Sequence, residues 1–227
     1  MDEHREMIWQ RGDAREIMKE ARKRFRNPIV ISVGKYTALA SVHYSLVKRY
    51  TGLQWSIALW HLWWALKHAR TAFVLGITSY DQADVVSRIL SRGFSRDRRR
   101  AKEILEQVLK YVPASESAEM VPHTRALMLC TLGKIKYDLG DTDAGWRHFS
   151  EARELLPAIR DEESPDREQQ LVRVMVAVGF FFWEHGGGPI KSDGSHLIWM
   201  ALNLACRVSK DQEMKIRARA RKVDYSL

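Results

Sequence analysis

His61 and His68 stand seven residues apart, two helical turns, and so can share one face of a helix. Two imidazoles on one face are the starting point for a metal site or an acid–base pair. Glu184-His185 sets a carboxylate beside an imidazole just ahead of a glycine run, and Gly34-Lys35 and Gly186-Gly187-Gly188-Pro189 are the places where backbone amides would cradle an anion. Each falls short of a reactive constellation. Gly34-Lys35 lacks the upstream glycine and the following Ser/Thr of a phosphate loop, and neither G-x-S-x-G nor H-E-x-x-H occurs. The two cysteines, Cys130 and Cys206, lie far apart within apolar helical runs and read as small buried hydrophobes, with no clustered partners for zinc or a disulfide framework. The expectation is a non-enzyme with no catalytic residue, no metal and no cofactor. The histidines then serve structure, and the glycine run is a flexible insertion in a hairpin.

The elements that would carry these residues are helical. A chain of 227 residues with 45% hydrophobic and 29% charged residues has a globular balance and is long enough to bury a core. Its formal charge of +9 favours acidic partners, nucleic acid or anionic membrane. The charged start, Met1-Asp2-Glu3-His4-Arg5-Glu6, has no apolar stretch behind it, so no secretory signal is expected and cytoplasmic residence follows.

Residues 53–77 are the most apolar stretch and hold four of the eight tryptophans. His61 interrupts the run, and Lys67, His68 and Arg70 end it. A cation near the bilayer centre costs at least about 2.5 kcal/mol, so a spanning helix is disfavoured. A helix apolar nearly all round is expected to be buried between others. Contact with a membrane surface or a large assembly is the alternative.

Caps and periodicity predict helices over 14–26, 35–50, 53–72, 79–93, 95–112, 122–139, 142–157, 165–185, 195–208 and 210–222. Asp13 with Glu16 resembles a capping box, Ser95 opens one helix, and Ser164-Pro165-Asp166 supplies an N-cap, a first-turn proline and an acidic first turn for another. Residues 28–34 could pass for a strand, but without a partner strand they are read as helical or irregular.

Residues 126–159 read ALMLCTLGKIKYDLGDTDAGWRHFSEARELLPAI. Leu132-Gly133, Gly140 seven residues on, Gly145, Phe149, Ala152, Leu155 and Pro157 fall at the spacing of a tetratricopeptide repeat, which this segment resembles. Lys136 stands where the family has an aromatic, with Tyr137 one place late. Val178-Gly179, Phe182 and Gly186 match a second time, Ala101, Leu105, Val108 and Pro113 match a second-helix half, and Ala58, Leu62 and Ala65 match weakly. Small residues recur at intervals of 43 and 44 (Ala58, Ala101, Gly145). A competing register pairs Leu75-Gly76 with Leu132-Gly133.

The resemblance implies an all-α chain of stacked antiparallel hairpins, a right-handed α-solenoid in one domain over 1–227. Its hairpins would be 35–72, 79–113, 122–159 and 165–208, with an N-terminal helix at 14–26 and a capping helix at 210–222. Gly145 should sit at a close helix crossing, and Gly145→Ala should be neutral or stabilising through helix propensity. The concave groove should carry Cys130, Lys134, Tyr137 and Asp138 from one unit and Phe180, Trp183 and Glu184 from the next, binding a protein or peptide, most suitably an acidic one. The alternatives are non-specific RNA or other nucleic-acid binding through the basic clusters at 22–26, at Arg96, Arg98, Arg99, Arg100 and Lys102, and at Lys215, Arg217, Arg219, Arg221 and Lys222, or a peripheral membrane role for helix 53–72.

Overall fold

A computed structural model describes residues 33–49, 55–77, 80–111 and 121–223, and among these every regular element is an α-helix. In chain order they are α1 (Val33–Arg49), α2 (Trp55–Leu75), α3 (Tyr80–Leu90), α4 (Ser95–Tyr111), α5 (Pro122–Asp138), α6 (Thr142–Glu154), α7 (Leu156–Arg160), α8 (Arg167–His185), α9 (Gly188–Val208) and α10 (Lys210–Lys222). The chain divides into two compact units at Ile104/Leu105, inside α4. The expected helix 14–26, the basic cluster 22–26 and most of the ambiguous 28–34 segment lie outside the described residues; Val33 and Gly34 open α1.

In the first unit α1 and α2 pair along their length. The pairing follows from small residues: Ala65, Ala69 and Ala72 on α2 and Ala40 on α1 are fully buried and let the backbones approach. α3 lays Ala83, Val86, Ile89 and Leu90, spaced at a helical period, into the same core. The expected hairpin 79–113 does not form, because α3 packs on α1 and α2 rather than along α4. α4 is instead tied to α2 by Asp97, which is 2% exposed and accepts from Arg70 Nε and Nη2 at 2.7 and 2.6 Å. The same carboxylate accepts from Phe94 N at 3.2 Å, so Asp97 rather than Ser95 satisfies the first turn of α4.

The second unit contains two antiparallel hairpins, α5–α6 and α8–α9. In the first, Gly140 takes φ +94° at the turn and Asp141 caps α6 through Ala144 N at 3.3 Å. The hairpin closes on two glycines: a Cβ at Gly145 would stand 3.0 Å from Gly133 O and 3.0 Å from Tyr137 Cβ. Gly145 therefore does sit at a close crossing. That geometry argues against a tolerated Gly145→Ala, because the added methyl would have to push back Gly133 O and Tyr137 N, which are backbone.

The second hairpin repeats the device. A Cβ at Gly194 would lie 2.7 Å from Gly179 O and 2.7 Å from Trp183 N. Gly194 is thus the counterpart of Gly145, within a helix that starts at Gly188 rather than at the expected residue 195. The supposed insertion after Gly186 is the first two turns of α9. The helix expected over 142–157 ends at Glu154, and Pro157 falls in the first turn of the short α7.

The hairpins meet through aromatic rings. Phe149 of α6 stacks on Phe181 of α8 with centroids 3.7 Å apart and planes 10° from parallel. Trp146 stacks on Phe182 at 5.5 Å. His123 at the start of α5 binds Glu162 twice, from its backbone N at 2.9 Å and through Nδ1 at 2.8 Å, fixing the segment that leads into α8. α10 adds Ile216 and Ala220 to this core and keeps its charged residues outward.

Candidate functional site

The groove residues expected on successive first helices fall into separate settings. Lys134 and Asp138 are surface residues of α5, one turn apart, paired at 3.3 Å. Tyr137 beside them is half-buried; its ring meets the edge of Phe181 at 5.2 Å and lies 4.4 Å from His185. α5 and α8 are neighbours, and Tyr137 and His185 meet between them. Cys130, on the same helix, is buried, and desolvation pushes its thiol up to about 12, which leaves it unreactive.

Phe180 and Glu184 are taken up by α10 instead. Phe180 is 0% exposed, with the Arg219 guanidinium 4.3 Å over its ring, and Glu184 accepts from Arg219 Nη2 at 2.8 Å. A contact surface needs accessible side chains, so Phe180 is a core residue rather than a groove contact. Trp183 is half-buried under Lys191 Nζ of α9, 4.3 Å from its ring.

Four members of the basic clusters are matched by carboxylates. Lys215 pairs with Asp211, Arg217 with Glu213 at 2.9 Å and Arg219 with Glu184. Arg221 and Lys222 are exposed at the C-terminal end of α10, where they complement the helix dipole. On α4, Arg100 reaches Asp97 at 3.8 Å and covers the Phe73 ring, Arg98 is half-buried with its Nε inaccessible, Lys102 is half-buried, and Arg99 is exposed. These pairings offset part of the charge that a phosphate grip would use.

A second constellation lies between α1 and α2. His43 and His61 are 2% and 5% exposed, and their Nδ1 atoms are 2.9 Å apart. One ring must donate and the other accept, so at least one of the two is neutral. Trp64 stacks on both His43 and His68, at 6.0 and 5.5 Å, Tyr36 covers His68 at 5.8 Å, and Lys67 Nζ lies 4.6 Å over Trp64. Burial holds His61 and His68 below the usual imidazole range, and Lys67 adds to the effect at His68. His61 and His68 were legible as a same-face pair. His43 was not, because its partner is on another helix. Among the described residues no group of three or more His, Cys, Asp or Glu is arranged to hold a metal ion.

The tryptophan-rich helix is not buried all round. His61, Ala65, Leu66, Ala69 and Ala72 face inward, while Trp60 and Trp63 are 49% and 53% exposed. No described helix is long and apolar enough to cross a membrane.

The described residues define an all-helical protein with paired-glycine hairpins in its second unit. No protein-family model, curated protein or solved structure matches the chain.

Proposed function

We propose that the second unit is a helical-repeat scaffold of tetratricopeptide type, stacking its hairpins in a right-handed sense and binding a protein partner beside α5 and α8. The observation that carries this is the neighbouring placement of the two first helices. It sets the Tyr137 ring against His185, with the accessible Lys134–Asp138 pair on the same helix as Tyr137. Such a mixture of aromatic anchor and charged rim suits a peptide segment. The repeated glycine crossings, Gly133 with Gly145 and Gly179 with Gly194, support a shared hairpin plan. Cytoplasmic residence and an acidic partner are part of the same proposal, the latter from the +9 charge.

The test is a charge swap, Lys134→Glu with Asp138→Lys, made on the full chain. Both residues are surface groups, so the melting curve should be unchanged. Partners cross-linked to a photoreactive group at His185 should be lost or weakened in the swap. A cross-linking pattern identical to that of the native chain refutes the site.

A further inference from the structure

The outward face of α2 carries Ile57, Leu59, Trp60, Trp63 and Lys67 along its first half and Val74 and Leu75 at its C-terminal end, with the half-buried Arg70 and Thr71 between them. Each of the six apolar side chains is 41–74% exposed. From residue 57 to residue 75 this face is about 27 Å long at 1.5 Å per residue. Scattered surface hydrophobes need no explanation, but Ile57, Leu59, Trp60 and Trp63, grouped within two turns, mark a contact surface.

Charge identifies the occupant. Residues 21–80 contain no Asp or Glu, although the chain has 28, and they carry nine Lys/Arg: Arg22, Lys23, Arg24, Arg26, Lys35, Lys48, Arg49, Lys67 and Arg70. This face therefore lies in a 60-residue segment whose only formal charges are positive. Lys67 rests over the Trp63 and Trp64 rings at 5.3 and 4.6 Å, and Arg70, the other cation of α2, is bound to Asp97. Tryptophan rings at headgroup depth with an ammonium reaching toward phosphate are the arrangement found at membrane interfaces. A protein interface core, by contrast, depletes lysine. A face on one helix also matches a flat surface better than a pocketed one.

We propose that this face of α2 docks on an anionic phospholipid surface, lying in the interface plane with Trp60 and Trp63 inserted and Lys67 at the phosphates. The helix does not span, since no described helix is long and apolar enough to do so. This proposal is independent of the partner site proposed in the second unit.

The experiment uses the full chain and phosphatidylcholine vesicles with and without a third of phosphatidylserine. The protein should float with the anionic vesicles and do so less with the neutral ones. Brominated acyl chains should quench its tryptophan emission, and Trp60→Phe with Trp63→Phe should remove that quenching. Trp60→Gln with Trp63→Gln should lower partitioning by about tenfold, and Lys67→Glu by about fivefold or more, with circular dichroism unchanged. Absence of flotation with either vesicle overturns the proposal. So does full partitioning by a folded Trp60→Gln/Trp63→Gln variant, which would assign lipid contact to other basic segments. If the variant instead abolishes self-association in sedimentation and vesicles never bind, the face belongs to a second copy of the chain. Should the glutamine variant misfold, the quenching and Lys67→Glu results decide alone.

Discussion

The Nδ1 atoms of His43 and His61 are 2.9 Å apart in the seam between α1 and α2, and neither ring is more than 5% exposed. A proton added to the accepting nitrogen would turn the bond into two donors facing each other, in a setting that already penalises charge. Tyr36 and His68 lie over the same seam, where the Lys67 charge acts on His68.

Acid should therefore loosen the first unit. His61 and His68 are held below their unfolded value of about 6.5, so between the folded and unfolded values the unfolded chain binds more protons. The stabilisation is fully present above about pH 6.5 and is lost as pH falls through the folded values. His148 in the second unit is lowered too, chiefly by burial, and adds in the same direction. Urea midpoints measured from pH 8 to pH 5 should fall on the acid side. His43→Phe with His61→Leu should flatten part of that slope; an unchanged slope would mean that the seam does not titrate.

Gly145→Ala and Gly194→Ala should each cost about 1–3 kcal/mol, the usual range for overpacking a close contact. A Cβ at either position meets backbone at 3.0 Å or less. Gly187→Ala is the control. Gly187 has φ −116° and open space around a new Cβ, so its melting temperature should hold. Equal melting temperatures for all three variants would contradict the crossing geometry.

Asp97→Ala should be among the most damaging changes in the first unit. It removes both hydrogen bonds from Arg70 and the acceptor for Phe94 N together. With Arg70 about a third exposed, solvent softens the loss, and a cost of about 2 kcal/mol or more is expected. The hydrogen bonds from Arg70 hold the Asp97 carboxyl below the usual carboxylate range. Its contribution is thus complete above the unfolded carboxylate value and lost as pH falls through the lower folded one. Chemical denaturation of Asp97→Ala and Asp97→Asn at pH 7 checks the magnitude.

Removing α10 by truncation after Val208 should expose Phe180 and the surface that Ile216 and Ala220 cover, and light scattering should rise. Arg219→Ala alone should cost about 0.5–1 kcal/mol through the lost ring contact. A monomeric truncate with an unchanged melting temperature would show that α10 does not close the core.

Local signals carried most of the helices. The bounds expected for 122–139 and 210–222 agree with α5 and α10 to within a residue; in the structure Pro122 lies in the first turn of α5 and Ser209 caps α10 through Gln212 N. Gly194 misled because a glycine is read as a helix breaker when only propensity is counted. At a crossing tighter than any Cβ allows, the backbone contact outweighs the conformational cost.

The sequence by itself determined the all-helical class, the small-residue positions at Gly133 and Gly145, and the apolar and basic character of the stretch around α2, since each depends on neighbours within a few turns. Only the tertiary structure decided that His43 meets His61, that Arg70 reaches Asp97, that Arg219 covers Phe180, and that Trp60 and Trp63 face outward. Those outcomes join residues 18 to 39 positions apart or select one side of a helix apolar on nearly every side. Periodicity cannot choose between sides that look alike; the neighbour that packs against one of them does.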